Sequence, residues 1–266
     1  IYGRVADSLY TVPVAENLYM RRDWLDTLYT RILQSELSPP GKYVYSDNDY
    51  IFLGKIVEAI TGKPLDQYVK ETFYDKLNLH STGFNPRGFA PLRTIAPTEN
   101  ERIFRKQLLR GYVHDPGAAM FGGVAGHAGL FSTAYELAVL SQVLLNGGVL
   151  NGQNFFRRST VQYFTAYHSD ISRRGLGFDK PERDNATRET PYPTASISPK
   201  GYGHTGFTGT CFWVDPEYNL VFILLSNRVN SPEANKFLRM NIRPKVHEVI
   251  YDALLNRYGH DIRSRT

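Results

Sequence analysis

Two short polar triplets in this sequence hold the residue types that acid–base chemistry and substrate binding require. The first, His204-Thr205-Gly206, sets an imidazole and a hydroxyl beside a glycine, just before an apolar run over 211–225. Asp, Pro and Asn interrupt that run at 215–219, a pattern typical of a β-hairpin. Glycines at a strand entrance let another backbone approach closely. The triplet is therefore a candidate substrate-binding edge.

The same glycines also match G-x-G-x-x-G over residues 201–206. A dinucleotide site needs a strand before those glycines and a helix after them. A strand pattern follows here instead, so the sequence predicts no dinucleotide cofactor at this point.

The second triplet, Tyr45-Ser46-Asp47, comes directly before a predicted helix. Its apolar residues fall at helical spacing and Gly62 ends it: Tyr50, Leu53, Val57, Ile60. Ser46 or Asp47 is expected at the N-cap, where a side-chain oxygen accepts a backbone N–H. Tyr45 is expected just outside the first turn.

A third stretch, Gly-His-Ala-Gly-Leu-Phe-Ser-Thr over 126–133, leads into a helix that Gly147-Gly148 closes. Thr133 and Glu136 have the spacing of a capping box. Further helices are expected over 22–34, over 64–77, early in 152–200, and in a last segment before Gly259 that carries Val246, Val249, Ile250, Ala253 and Leu254. Residues 78–125 show few periodic signals, which predicts a long loop layer.

Composition narrows the class of protein. The chain has 266 residues, 42% of them apolar and 21% charged, which suits one globular domain over 1–266. The net charge of +5 is scattered, so no nucleic-acid partner is expected. One cysteine excludes an internal disulfide, and the seven histidines lack ligand spacing, so we expect neither a metal site nor a cofactor. No apolar run is long enough for a membrane span.

In this order and spacing, the two triplets and the 126–134 stretch resemble the serine β-lactamase and penicillin-binding-protein superfamily, nearest to its esterase and class C-like branch. More narrowly, the chain resembles the β-lactamase-like domain fused behind family 3 glycoside hydrolases in Bacteroidetes-type bacteria. The resemblance covers nearly the whole chain. It implies an α/β (α+β) β-lactamase/transpeptidase-like fold with an antiparallel sheet between helical layers. It also implies an exported, periplasmic or cell-envelope hydrolase of amides or esters that acts through an acyl-enzyme on a small-molecule or peptidoglycan-like substrate.

The resemblance assigns roles to residues. Tyr45 matches the tyrosine that, with a lysine, removes and returns the proton of the serine nucleophile. Asp47 stands where the family commonly has Asn, and a carboxylate can only accept hydrogen bonds. His204 matches the element that positions the substrate, and the backbone N–H of Phe207 matches the strand donor of the oxyanion hole. The remaining expected substrate contacts are Ser46, Thr205, Gly206 and Thr208.

One element of the family is absent from the sequence. No serine is followed by lysine three residues later, and the family's Ser-x-x-Lys belongs well upstream of Tyr45, which only 44 residues precede. We therefore expect a fragment that lacks the nucleophile and the amino-terminal strands and is inactive alone. Missing strands would leave an unpaired sheet edge, through which we expect the fragment to form a homodimer.

Two alternatives remain open. A fused domain can keep a cleft while losing its chemistry, so the chain fits a non-catalytic binding or accessory module of a glycoside hydrolase. An internal serine triad is disfavoured because the sequence has no G-x-S-x-G. β-Lactam, short-chain ester and D-peptide carbonyls all remain as substrate classes.

Overall fold

A computed structural model describes residues 1–258. They divide into two compact units, Ile1–Glu136 with Val229–Pro232, and Leu137–Arg228 with the chain from Glu233 onward. The single domain over 1–266 stays a prediction. Helices occur together with sheets in which every described strand pair is antiparallel, which confirms the predicted fold class.

The first unit combines short sheets with helices of 5 to 14 residues. Its strands are β1 (Tyr2–Gly3), β2 (Tyr10–Ala15), β3 (Leu18–Arg21), β4 (Gly83–Phe84), β5 (Pro97–Glu101), β6 (Gln107–Arg110) and β7 (Leu130–Phe131). Its helices are α1 (Trp24–Leu33), α2 (Asn48–Thr61), α3 (Leu65–Val69) and α4 (Pro116–Met120). The order β1-β3-β2 forms one sheet, and β4-β7 and β5-β6 form two-stranded pairs.

The second unit is built around a three-stranded sheet of order β10-β11-β12. Helix α5 (Ala134–Leu145) begins at the end of the first unit and continues here. The other elements are β8 (Val149–Leu150), β9 (Gln153–Asn154), α6 (Arg158–Thr165), β10 (Tyr202–Thr205), β11 (Cys211–Asp215), β12 (Leu220–Leu224), α7 (Ala234–Arg239) and α8 (Ile242–Tyr258). Within residues 1–258, no helix combines the length and the apolar composition that crossing a bilayer takes.

Each unit has its own buried apolar cluster. In the first, β2 and β3 pack on the segment around α4, with Val14, Met20, Leu109 and Ala118 almost fully buried. In the second, Trp213 and Phe222 of the sheet pack against Tyr251 of α8. Burial of large side chains such as these stabilises a fold by about 1.5–3 kcal/mol each, so these clusters hold the two sheets in place.

Most predicted helices and the predicted hairpin are confirmed. Helices α1, α2, α5, α6 and α8 lie where the apolar spacing places them, and β11 and β12 form the hairpin. Gly147 and Gly148 end α5 with φ of 70° and 100°, which only glycine adopts readily. The expected stop of α8 at Gly259 lies outside the described residues.

The helix predicted over 64–77 is only partly right. The α-helical part ends at Val69, and residues Lys70–Tyr74 form a π-helical turn. The apolar spacing of Tyr68, Val69 and Phe73 does not distinguish the two backbone hydrogen-bond patterns, because both keep these side chains near one face.

The loop layer predicted over 78–125 contains a hairpin, β5-β6, whose register shifts between Pro97 and Glu99, and helix α4. The hairpin is held by polar groups, which periodicity does not detect. The Glu101 carboxylate accepts backbone N–H groups from Ile103, Phe104, Arg105 and Lys106. Burial alone would raise the pKa of Glu101, but these four donors lower it to about 2.

The predicted capping box at the start of α5 is half right. Thr133 Oγ1 accepts the backbone N–H of Glu136 at 3.2 Å, as expected. The Glu136 carboxylate does not return to Thr133, because it accepts the N–H groups of His80 and Ser81 and the hydroxyl of Thr82. Glu136 is buried, so this carboxylate fastens a distant turn to α5 rather than closing the box.

Candidate active site

The triplet Tyr45-Ser46-Asp47 lies at the start of α2, as the sequence predicts. Ser46 Oγ accepts the backbone N–H of Asn48 at 3.1 Å and so serves as the capping side chain. Asp47 occupies the N-cap position in αR conformation, but its carboxylate makes no capping hydrogen bond. Tyr45 is 58% exposed, so its ring is open to solvent at the end of the helix.

The loop over 126–129 packs against α2 because two glycines remove the side chains between them. A Cβ at Gly126 would overlap the carbonyl oxygen of Tyr50, and one at Gly54 would lie 3.2 Å from the Gly126 nitrogen. This close approach brings His127 toward the start of α2. Asp47, Asp115 and His127 each offer a ligand atom, and these atoms lie within 4.8 Å of one another. These three residues have no ligand spacing along the chain, so sequence reasoning did not bring them together.

Asp115 and His127 are directly bonded. The His127 Nε2 lies 2.8 Å from Asp115 Oδ1, which also accepts the backbone N–H of Ala118 at 2.6 Å. Burial alone would raise the pKa of Asp115, but the hydrogen bonds from His127 and Ala118 hold it below its usual value. Because an ionised carboxylate only accepts, the His127 Nε2 carries the proton of this bond.

The triplet His204-Thr205-Gly206 lies in the second unit, with His204 and Thr205 on β10 and Gly206 just after it. Gly203 and His204 pair with Trp213 and Phe212 of β11, so residues 202–205 form a strand of their own. This corrects the prediction that they only open the hairpin: a four-residue segment with one glycine shows too little alternation to be recognised. Strand β11 is the next element along the chain after β10.

His204 has both ring nitrogens engaged. Arg174 Nη1 lies 3.0 Å from Nε2, and since a guanidinium only donates, Nε2 accepts. Nδ1 therefore donates to the carbonyl of Thr205 at 2.9 Å. Burial lowers the pKa of His204 below its usual value, and the neighbouring Arg174 cation lowers it further, so the ring is neutral at pH 7.

Phe207, whose backbone N–H is the predicted oxyanion donor, lies in the exposed turn after β10. The Gly206 N–H donates to the Thr210 carbonyl at 2.8 Å, and the Thr208 carbonyl accepts the Arg228 N–H at 3.0 Å. Phe207 is 68% exposed between them, with the Arg228 guanidinium 4.9 Å from its ring centroid. The oxyanion role of the Phe207 N–H stays a prediction.

Thr205 lies on the opposite face of the strand from His204. It pairs with Cys211 and lines a cavity of about 220 Å³ together with Trp213 and His247. The contact of Thr205 with substrate stays a prediction, as do those of Ser46, Gly206 and Thr208.

Sequence reasoning missed Arg174 and Asp179. The carboxylate of Asp179 is buried and lies 3.0 Å from Arg173 Nε and 3.6 Å from Arg174 Nη2. Arg174 precedes His204 by 30 residues in a proline-bearing loop with no periodic signal, so only the fold reveals their contact. The triplet His204-Thr205-Gly206 contains no cation, so Arg174 supplies the positive charge beside the His204 ring.

Comparison with known proteins gives the family. A sequence profile described as Beta-lactamase matches residues 5–246. A protein of Salmonella enteritidis PT4 named "Putative D-alanyl-D-alanine carboxypeptidase" is 43% identical over 220 residues, which are 78% of this chain and 50% of that protein. A protein of the same name from Escherichia coli K12 is 43% identical over 213 residues, 75% of this chain and 48% of the relative. The chain thus spans about half the length of the curated relatives it matches.

Solved structures agree on the fold. A penicillin-binding protein from Bacillus halodurans aligns with a TM-score of 0.56 at 18% identity, covering 86% of this chain and 64% of that one. A β-lactamase from Mycobacterium bovis aligns with a TM-score of 0.55 at 18% identity, covering 85% and 68%. The sequence match over 5–246 and the shared fold agree, and the chain belongs to the β-lactamase family of serine hydrolases.

Proposed function

We propose that this chain is the part of a β-lactamase-like serine hydrolase that carries its second and third catalytic elements. The main support is the family match over residues 5–246 in a sequence where no serine is followed by lysine three residues later. On this proposal the parent protein supplies Ser-x-x-Lys before residue 1, and the 266-residue chain is inactive alone. Fusion behind a family 3 glycoside hydrolase stays a prediction.

The proposed reaction is acyl transfer from an amide or ester to the serine. Tyr45, as phenolate, takes the serine proton while Oγ attacks the carbonyl carbon. The N–H of Phe207 and that of the serine stabilise the oxyanion that forms. The carbon–nitrogen or carbon–oxygen bond then breaks, and the leaving group takes the proton from Tyr45. Water hydrolyses the acyl-enzyme by the same sequence of steps, and Asp47 accepts hydrogen bonds near Tyr45.

The proposed substrate class is a peptide that ends in D-alanyl-D-alanine. The supporting observation is electrostatic: the neutral His204 ring lies against the Arg174 cation, which favours a substrate with a carboxylate. Such a peptide has a carboxylate one residue after the scissile bond. The name shared by the Salmonella and Escherichia coli relatives is consistent with it. Since peptidoglycan lies outside the cytoplasm, we also propose export to the periplasm or cell envelope.

The substrate proposal is tested with Arg174→Gln in the full-length parent protein. We expect KM for a D-alanyl-D-alanine peptide to rise by about 10-fold or more, while KM for an uncharged ester changes little, because a charge-assisted hydrogen bond contributes about 1.5–3 kcal/mol. An equal effect on both substrates would show that Arg174 supports the fold rather than the carboxylate.

The catalytic proposal is tested by comparing Tyr45→Phe with Tyr43→Phe in the same protein. Both tyrosines are exposed, at 58% and 46%, so neither change disturbs a core. Loss of the proton-transfer group is expected to lower kcat by about 10²- to 10⁴-fold in Tyr45→Phe alone. Equal activity of the two variants would refute the assignment of Tyr45.

A further inference from the structure

We propose that a cavity in the second unit binds one small uncharged molecule that has an apolar body and a single hydroxyl group. The cavity has a volume of about 220 Å³ and is bordered by the sheet, α7 and the first turns of α8. Thr205 lines it from the face of β10 opposite His204, so the site is separate from the proposed acyl transfer. Most of the wall is apolar: Pro193, Trp213, Phe222, Phe237, Leu238, Ile242.

The volume of the cavity sets the size of the ligand. An engineered cavity of about 150 Å³ with an apolar lining holds benzene, so 220 Å³ has room for a six-membered ring with a substituent. A water molecule takes up about 30 Å³, so water alone would have to fill the space with about seven molecules. The apolar wall offers these few hydrogen bonds and therefore favours one organic molecule over a water cluster.

His247 is the independent indication that a polar group of a ligand belongs in this cavity. The residue lines the cavity and is 1% exposed. Its Nε2 is buried and has no hydrogen-bond partner in the part of the chain that the structure describes. A buried polar atom without a partner is costly, so the site lacks one hydrogen bond that a ligand can supply.

The His247 ring is placed so that Nε2 faces the cavity. A helical side chain leans toward the N-terminus of its helix and covers the turn before its own Cα. That turn of α8 contributes Arg243 and Pro244 to the cavity wall, and Nε2 lies on the distal edge of the ring. Phe222 covers one face of the ring, with centroids 4.2 Å apart and planes at 8°, and Tyr251 packs on it from the following turn. The distal edge is therefore the part of the ring that borders the cavity.

The other polar groups of the wall favour an uncharged ligand. The Tyr192 hydroxyl donates to Asp179 at 2.6 Å. Arg243 Nη1 donates to the carbonyls of Gly206 and Thr210 at 3.1 and 3.0 Å. These groups are engaged with the protein, which leaves the imidazole Nε2 for the ligand. Burial lowers the pKa of this imidazole to about 4, so it is neutral at pH 7. A neutral imidazole nitrogen either donates or accepts, and a hydroxyl, which does both, matches either tautomer.

The test is isothermal titration of the 266-residue chain with phenol, and with benzene as the matched probe that lacks the hydroxyl. We expect one phenol per chain, bound about 2- to 12-fold tighter than benzene, which is the net effect of one hydrogen bond. His247→Phe keeps an aromatic ring on Phe222 and removes Nε2, so phenol should then bind no tighter than benzene. A phenol preference that persists in this variant would overturn the proposed contact with His247.

A second variant keeps the experiment decisive if His247→Phe does not fold. Leu238 lies on α7, is 41% exposed and lines the cavity, so Leu238→Trp should fill the space and abolish binding of both probes. The matched control is Leu176→Trp, because Leu176 is 39% exposed in the same unit and lies outside the cavity wall; it should bind phenol as the wild type does.

Three further results would overturn the proposal. The first is absence of saturable phenol binding by the wild-type chain, and the second is unchanged binding in Leu238→Trp. The third is tighter binding of benzoate than of phenol, which would assign the ligand to the Arg243 cation instead of the neutral imidazole. Each would leave the serine-hydrolase proposal untouched, since that is tested by acylation.

Discussion

Replacing Tyr251 with Phe should destabilise the packing of α8 on the sheet that carries His204. The expected size of the effect follows from the hydrogen bonds to Asp215, which receives three donors. Tyr251 is fully buried on α8, and its hydroxyl donates to Asp215 Oδ2 at 2.7 Å. Asp215 also accepts the N–H of Ser198 at 2.8 Å and its hydroxyl at 2.6 Å. The substitution deletes one donor to a buried carboxylate and leaves the ring packing in place.

A hydrogen bond to a charged group contributes about 1.5–3 kcal/mol, so opening of the second unit should become about 10- to 150-fold more frequent. Cys211 reports this opening, because it is the one cysteine of the chain and is 4% exposed in the same sheet. Burial raises the pKa of its thiol to about 11, which keeps the closed form unreactive toward thiol reagents.

The assay is the rate of Cys211 modification in native buffer, under conditions where closing is faster than reaction. Tyr251→Phe should raise that rate by the factor above. Tyr163→Phe is the matched control in the same unit, since Tyr163 is 61% exposed, and it should leave the rate unchanged. An unchanged rate in Tyr251→Phe would refute the claim that the Asp215 hydrogen bonds hold α8 on the sheet.

Three further outcomes are expected. Thr133→Ala should lower the unfolding free energy by about 1 kcal/mol, because it removes one cap. Glu136→Ala should lower it by more, because it removes the acceptor of two backbone N–H groups and of the buried Thr82 hydroxyl; urea titration of both variants tests the order. Burial lowers the pKa of His247 to about 4, so the unfolded chain binds more protons below about pH 6.5 and the unfolding free energy falls as the pH drops from there to 4. His247→Gln should remove up to about 3 kcal/mol of that pH dependence, measured by urea unfolding followed by Trp213 fluorescence. An identical pH profile in the variant would contradict this prediction. The chain should sediment as a dimer, because within residues 1–258 β12 pairs with β11 alone and leaves an open edge; a monomer at all concentrations would count against this.

Local patterns predicted the elements whose signals are local. Apolar residues at helical spacing predicted where α2 and α8 lie, although other residues form their buried faces: Leu53 and Ile60 are 50% and 80% exposed, whereas Ile51, His247 and Tyr251 are buried. The Asp-Pro-Asn turn between β11 and β12 is a turn conformation that neighbouring residues determine. The capping side chain of α2 was also predicted, although as a choice between Ser46 and Asp47. The structure assigns it to Ser46.

Elements held by distant polar contacts were not predictable in this way. The Glu136 carboxylate fits the capping-box motif, yet its partners lie 54 to 56 residues away. Arg174 meets His204 across 30 residues, and Asp115 meets His127 across a loop with no ligand spacing. Such contacts depend on how the units fold, so the composition of any single window contains no signal for them.

The most direct test of the central claim is fluorophosphonate labelling read by intact mass. It compares this 266-residue chain with a longer chain that restores the preceding residues of its parent reading frame. We expect one adduct on the longer chain, slowed by Tyr45→Phe, and none on the 266 residues, because these contain no Ser-x-x-Lys. An adduct on the 266-residue chain itself would contradict the assignment of the nucleophile, and absence of labelling on both would favour a non-catalytic binding module.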